Sequence, residues 1–420
     1  MHDKQIEKLI AAETKRQGNV INLIASENYV SNDVLEALGS PLTNKYAEGY
    51  PHKRYYGGQK YIDQIEDECK KRALGLFGLK TDTWAVNVQA LSGSPANLAV
   101  YMGLVPIGGK IMGMTLSHGG HLTHGQKVSM TGKAWTQVPF GVNEKTEVID
   151  YDEIKNIALK ENPALIVAGF TAYPRIVDFK KFREVADACN TILMVDKSHF
   201  AGLVAGKAYP SPFPYADVVT TTVHKTLRGP RAALIFSRTD KKRLSAAGKE
   251  QTFAECVDKA IFPGLQGGPH LNQIAAVAVA LKEATAPTFK KYAAQVVKNA
   301  HVLAHELQKL GWKIISGGTD SHLILMDTWM NGKGINGAEA SDTLEKAGII
   351  VNKNTIPGET RSAFDPSGIR LGTPALTSRG MKEKEMRVVA GLIHAVLKEN
   401  KNVSVEIKKL CKKFPLWYKP

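Results

Sequence analysis

VVTTTVHKTLRGPR (residues 218–231) begins as a run of β-branched residues and ends in a Gly-Pro turn between two arginines, with Lys225 in the middle. A short apolar run bounded by turn residues reads as a strand buried on both faces. TILMVDKSHF (191–200) shows the same pattern upstream, with Asp196 at its carboxyl end. WAVNV, KIMGMTL, ALIVAGF and RAALIFS repeat it between residues 84 and 237, separated by helical stretches such as FKKFREVADAC. Strands alternating with helices predict an α/β fold with a mostly parallel central sheet flanked by helices. In such sheets ligands bind beyond the carboxyl ends of the strands, so Asp196 and Lys225 fall on the edge where chemistry is expected.

Outward from this block the pattern changes. Residues 1 to about 20 read as a helix, and SNDVLEALG (31–39) as another, with Ser31 or Asn32 as cap and Gly39 as stop. KYAEGYPHKRYYGG (45–58) is too rich in Gly and Tyr to continue it. After GLQGGP (264–269) a helical pattern runs to about residue 311, followed by HLILMDT (322–328), GIIVNKN (348–354) and terminal helices. The expected division is an N-terminal helical arm and active-site segment (1–60), a large α/β domain (61–275) and a smaller C-terminal α+β domain (276–420).

At 420 residues and 43% hydrophobic content the chain can bury a large core. Its four cysteines (Cys69, Cys189, Cys256, Cys411) stand far apart, which fits reduced thiols in the cytoplasm better than a disulfide framework or a zinc knuckle. The first 18 residues mix acidic and basic groups without an apolar core, so no signal peptide is read there. The longest apolar run, Ile274 to Leu281, is too short to span a bilayer. The formal charge of +15 attracts polyanions in general, yet no basic cluster is interleaved with aromatics as a nucleic-acid platform requires. The basic tail VEIKKLCKKFPLWYKP reads first as a solvated helix face and second as an anion-binding arm.

Several stretches carry potential chemistry, each with a plainer alternative. LSGSPANLAVY (91–101) places a Ser-Gly-Ser turn before Pro95 at a helix start, an anion site or an ordinary capped turn. Asp196 is either a buried carboxylate awaiting a cation or a helix cap, and His199 either a ligand contact or a structural histidine. Lys225 on a low-dielectric rim beside Arg228 and Arg231 is expected to have a depressed pKa, as a nucleophile for carbonyl compounds needs; the alternative is a snorkelling or phosphate-contacting lysine. A phosphate site, a buried carboxylate and an activated lysine together suggest pyridoxal phosphate. His118, His121 and His124 stand three apart, but the glycines between them and the lack of a nearby carboxylate favour ring stacking by one histidine over a metal site. His301 and His305 lie on a charged helix without the Glu of a zinc motif. Arg370 in SGIRLGT (367–373) suits bidentate capture of a carboxylate or a structural ion pair.

NLIASENYVS, NKYAEGYP with RYYGG, NVQALSGSPAN, SHGGHLTHG, MVDKSHFAGLV, TTTVHKTLRGPR, FPGLQGGP, VNKNTIP and SGIRLGT, in this order from residue 22 to 373, resemble serine hydroxymethyltransferase. The resemblance implies a fold-type-I enzyme that moves the serine hydroxymethyl group to tetrahydrofolate, giving glycine and 5,10-methylenetetrahydrofolate. It implies pyridoxal 5'-phosphate bound as an imine to Lys225, with Asp196 at the pyridine nitrogen, His121 stacked on the ring and His199 near the phenolate oxygen. Ser92, Gly93 and Gly268 match phosphate contacts, the last from a partner chain, and Thr222, His224 and Tyr46 complete the cofactor surroundings. Ser26, Tyr56, His199 and Arg370 match the amino-acid site, with Arg370 on the carboxylate. Glu48 matches the proton-transfer carboxylate and, with Tyr46, Tyr55 and Tyr56, reaches across a homodimer. Tyr55, Tyr56, Leu116, Gly120, Leu122, Asn354 and Phe364 match folate contacts. No metal is implied.

Four positions depart from the family pattern: Lys197 where Met is usual, Ala90 for Pro, Thr171 for Ser and Val223 for Thr. They bear on tuning rather than on the reaction. Strand alternation sends Lys197 away from Asp196, with its ammonium expected in solvent or on a carboxylate. A basic surface would steer polyglutamylated folate inward. Two alternatives compete: a folate-independent aldolase of 3-hydroxy amino acids, which has no need of the Tyr-Glu-Tyr-Tyr set or Asn354, and a nucleic-acid-binding protein, which accounts for the charge alone.

Overall fold

The computed structural model describes residues 1–244 and 248–418. The chain divides into two compact units, one of residues 30–171 with 176–293, the other of residues 1–29, 172–175 and 294 onward.

In the first unit seven strands form one sheet: β1 (Trp84–Asn87), β2 (Lys110–Met114), β3 (Thr136–Phe140), β4 (Leu165–Gly169), β5 (Ile192–Asp196), β6 (Val218–Thr222) and β7 (Ala233–Arg238), in the order β1-β7-β6-β5-β4-β2-β3. β2 to β6 pair in parallel, and β7 runs against both of its neighbours. Every residue of β4 and β6 is buried, as their uninterrupted Val, Ile, Leu, Ala and Thr content requires of strands covered on both faces. The helix Gly93–Leu104 packs Val100 and Leu104 into a core with Ile111, Val167, Met194 and Ile235. β3 does not stand out in the sequence because Thr136 and Pro139 are exposed. As the sheet's edge it tolerates a proline, since one side of the strand needs no hydrogen-bond donor.

Residue 275 lies within the helix Leu271–Ala284, which packs on the helices Lys60–Leu76 and Asn32–Leu38. The sheet unit therefore takes in residues 30–60 and continues to residue 293. The helical pattern between 271 and 311 breaks once, before Pro287, where a second helix runs to Lys309.

In the second unit strands β8 (Lys313–Ile314), β9 (Leu323–Asp327), β10 (Asn352–Asn354) and β11 (Gly368–Gly372) form an antiparallel sheet in the order β8-β9-β11-β10. Ile324, Met326, Ile369 and Leu371 bury one face of it against Leu344, Val389 and Ile393 from two helices. GIIVNKN splits at Val351, with Ile349–Ile350 pairing in parallel with Ile21–Asn22. All four cysteines are free thiols. Among the described residues no helix is long and apolar enough to cross a membrane.

Candidate active site

β5 and β6 end side by side, with Asp196 opposite Thr220. Asp196 is buried; its Oδ2 accepts from Asn97 Nδ2 (2.8 Å) and lies 3.3 Å from His124 Nε2, while Oδ1 accepts from the Ser198 backbone N–H (3.0 Å). Burial would push this carboxyl up, but the hydrogen bond and field of His124, with His121 and the Asn97 hydrogen bond adding, outweigh it and hold Asp196 well below the usual carboxylate range. An ionised carboxylate at a strand end is equipped to hold a cation in front of it.

The helix Gly93–Leu104 begins against the end of β6. A Cβ on Gly93 would stand 2.7 Å from Thr222 Cγ2, so the approach needs glycine. Ser92, the N-cap, makes no side-chain cap, which leaves its hydroxyl and the first-turn N–H groups to an anion. Pro95 occupies the third helical position rather than the first, still within the turn that spares no N–H bond. Thr222 N–H donates to Ser198 Oγ (3.0 Å), and Thr226 Oγ1 donates to the carbonyl of buried His199 (2.9 Å), tying the loop after β5 to the lysine-bearing turn.

His121 is carried on a turn held by Thr171, whose hydroxyl meets the carbonyls of Gly119 and Gly120 at 3.1 Å each. Thr171 thus supplies the hydroxyl that the usual serine would, and that departure is conservative. Burial, with His124 and Lys225 adding, lowers the His121 pKa to about 4, so the ring is uncharged at neutral pH. His224 falls to about 3, again chiefly by burial, and its Nδ1 has no hydrogen-bond partner among the described residues. His118 turns elsewhere and accepts from the Val142 N–H (3.0 Å), so the three histidines do not converge on one point.

The Tyr-Glu-Tyr-Tyr segment owes its shape to Arg54, which sequence reading missed. Its guanidinium pairs with Asp63 (3.0 Å) and Glu66 (2.7 Å) and donates to the carbonyls of Ala47 (2.9 Å) and Gly49 (2.7 Å), on either side of Glu48. The Arg54 and Glu66 side chains are buried, and Gln89 completes the set with Nε2 on Glu66 and on Gly49. The available signal was a basic pair, Lys53-Arg54, inside a Gly/Tyr-rich stretch facing an acidic helix. Glu48 is 3.3 Å from the Tyr56 hydroxyl, and Tyr46, Tyr55, Tyr56, Leu116 and Leu122 are all exposed. Gly268 lies against the ring of Tyr46, which a Cβ there would meet at 3.3 Å.

Lys197 corrects an expectation. Alternation does separate it from Asp196, but its ammonium reaches neither solvent nor a carboxylate. The side chain is fully buried, with Nζ 3.2 Å from the Phe77 ring centroid and 5.1 and 5.2 Å from those of Phe213 and Phe236. It has no hydrogen-bond partner among the described residues, and burial pushes its pKa well below the ordinary lysine value. Ala90 and Val223 are both buried, and nothing else in the structure explains why they replace Pro and Thr.

In the second unit Arg370 is buried on β11, with Nε donating to Asn352 Oδ1 (3.0 Å). Burial lowers its pKa to about 10, which leaves it cationic at neutral pH. Gly372, two residues on, lies so close to Ala25 that a Cβ would stand 2.4 Å from the Ala25 Cα, which brings the Ser26 turn beside the strand carrying Arg370. Asn354 pairs with Gly368 at the sheet edge, and Phe364 is 84% exposed beyond it.

The residues of the sheet edge fit pyridoxal phosphate: an anion-ready helix terminus for the phosphate, an ionised buried carboxylate for the ring nitrogen, an uncharged histidine and a lysine after the next strand. Fold and site together define a fold-type-I pyridoxal-phosphate enzyme. Residues 1–393 match the family model described as serine hydroxymethyltransferase. The chain is also 52% identical over 419 residues to a serine hydroxymethyltransferase of Desulfotalea psychrophila (strain LSv54 / DSM 12343), covering 98% of this chain and 94% of that protein. The chain belongs to the serine hydroxymethyltransferase family, with pyridoxal phosphate as cofactor and tetrahydrofolate as co-substrate. Its reaction is the reversible transfer of the serine hydroxymethyl group to tetrahydrofolate, which sets aside the aldolase and nucleic-acid alternatives.

Proposed function

We propose that Lys225 carries the cofactor and that Asp196, His121, His199, His224, Thr222, Ser92 and Gly93 surround it, with Tyr46 and Gly268 closing the site across a homodimer. The observation that supports this reading is the buried Asp196 carboxylate at the end of β5, held by Asn97 and the Ser198 N–H, one strand from the turn that bears Lys225. Pyridoxal phosphate supplies an electron sink for the bond broken at the serine α-carbon. The chain's own residues do the rest. Arg370, with Ser26, Tyr56 and His199, binds and orients the amino-acid carboxylate. Glu48 moves a proton between the serine hydroxyl and folate, held in place by Arg54. Asp196 keeps positive charge at the ring nitrogen. Tyr55, Tyr56, Leu116, Gly120, Leu122, Asn354 and Phe364 receive the folate.

The exposure of Tyr46, Tyr55 and Tyr56 supports a dimer in which these rings are covered. Four free thiols support a cytoplasmic location. The charge of +15 supports steering of polyglutamylated folate toward the protein. The purified protein is expected to be yellow. Lys225→Ala should abolish multiple turnovers, and near-native turnover in that variant would overturn the assignment.

A further inference from the structure

Three buried side chains beside the site are not among the residues assigned to cofactor or substrates: Asn97, Thr123 and His124. The directions of their hydrogen bonds follow from the groups that can only donate or only accept. Asn97 Nδ2 donates to Asp196 Oδ2 (2.8 Å), an oxygen that only accepts, which fixes the amide so that Oδ1 accepts from Thr220 Oγ1 (2.8 Å) and Nδ2 also faces Thr123 Oγ1 (2.9 Å). Because Thr123 Oγ1 accepts from Asn97, its own hydrogen is available to His121 Nδ1, 2.7 Å away. The Thr123 backbone N–H points at the same nitrogen (3.2 Å). The backbone N–H can only donate, so Nδ1 carries no proton, Thr123 Oγ1 is its second donor, and the His121 proton sits on Nε2. The His121 backbone N–H donates in turn to His124 Nδ1 (3.3 Å), which directs the His124 Nε2–H at Asp196.

We infer that Asn97 and Thr123 are a pair of positioning residues that couple the protonation of His121 to the orientation of Asp196. The inference rests on the assignment of Asp196 and His121 to the cofactor ring. A histidinium over a ring that must keep its own nitrogen protonated would oppose that proton by like-charge repulsion. Two donors on Nδ1 exclude that state, and the amide that orders one of them also holds the carboxylate that stabilises the ring proton. One buried amide thereby touches both groups, and His124 makes a second link between the His121 turn and β5.

Nitrogen-15 NMR of histidine-labelled protein, without and with pyridoxal phosphate, tests the pair alongside cofactor loss on dilution. Wild type is expected to show His121 as the Nε2–H tautomer alone. Thr123→Val should show mixed His121 tautomers and lose cofactor several-fold faster, and Thr123→Ser should restore both. An Nδ1–H or doubly protonated His121 in wild type overturns the inference, as does an unchanged tautomer in Thr123→Val. Asp196→Asn is the control for the underlying assignment. If it leaves cofactor absorbance and retention unchanged, the ring placement fails while the tautomer result stands by itself.

Discussion

Lys197→Met is expected to make the protein more stable, by an amount that depends on pH. The lysine is fully buried, three phenylalanine rings surround its Nζ, and no hydrogen-bond acceptor meets it among the described residues. Burial alone depresses its pKa, with no carboxylate opposing. A lysine whose pKa is depressed in the fold loses stability as pH falls from the unfolded value of about 10.4 toward its folded one, at about 1.4 kcal/mol per unit. A buried nitrogen without a partner costs roughly 1–3 kcal/mol more. Keeping the charge instead recovers about 2 kcal/mol from the rings but incurs an ion desolvation of several kcal/mol. Methionine has a similar length, no proton and sulfur–aromatic contacts of about 0.3–1.5 kcal/mol each. Allowing for relaxation and residual burial in the unfolded chain, the net gain at pH 7 is about 2–5 kcal/mol.

The sign of the pH effect follows from the depressed pKa. Between the folded and unfolded values the folded state binds fewer protons, so wild-type stability is fully present above about pH 10.4 and is lost as pH falls. The advantage of Lys197→Met is therefore largest near neutrality and narrows toward pH 10. Urea unfolding of both proteins, followed by circular dichroism near pH 7 and near pH 10, measures it. Equal midpoints at neutral pH, or a gap that does not narrow, would refute the reasoning. A less stable variant would show that the aromatic cage holds the charged ammonium at a net profit.

Arg370→Ala should raise the KM for serine while sparing cofactor absorbance, since a buried charge-assisted contact is worth about 2–5 kcal/mol; an unchanged KM would mean that another cation holds the carboxylate. Glu48→Gln should lower folate-dependent turnover about 10²-fold and leave glycine binding intact, as steady-state rates and cofactor spectra would report. Arg54→Ala leaves buried Glu66 to Lys70 and Gln89, and the Ala47 and Gly49 carbonyls without the guanidinium donor, and should destabilise by about 1–3 kcal/mol in thermal or urea unfolding, with Glu48 losing its place. The KM for polyglutamylated folate should rise with ionic strength more steeply than that for the monoglutamate, if the excess of positive charge steers the tail.

The sheet was legible where burial is two-sided: β4, β5 and β6 are short hydrophobic runs because both faces are covered, and their ends located Asp196 and the Lys225 turn. β3 was not, because an edge strand with an exposed proline looks like a loop. Asp196 and Lys225 could be singled out because a charged residue at the end of an apolar run is unusual. Asn97, Thr123 and Arg54 could not, since their partners lie far along the chain or are backbone carbonyls, which leave no mark in composition. The helix Leu271–Ala284, which spans residue 275, packs on Lys60–Leu76, again a contact remote in sequence.

Lys197 shows how far a local rule reaches. The period of two in a strand correctly parts adjacent residues, and it explains how two charge-bearing side chains can sit next to each other in sequence at an active site. Asp196 turns to the face where Asn97, His124 and a backbone N–H await it; Lys197 turns to a face of hydrocarbon. The rule fixes the direction of a side chain but not what it meets, and the snorkelling expected of a lysine fails here because three aromatic rings enclose its ammonium nitrogen. Asp196 bonds to Asn97 and His124 while Lys197 Nζ lies among Phe77, Phe213 and Phe236, and burial among those rings is what lowers the lysine's pKa. The departure at 197 therefore acts on stability and not on the electron sink: Lys197→Met should leave cofactor absorbance and turnover nearly unchanged while the unfolding midpoint moves. A shifted absorbance, or a several-fold change in turnover, would mean that the two faces communicate through the strand.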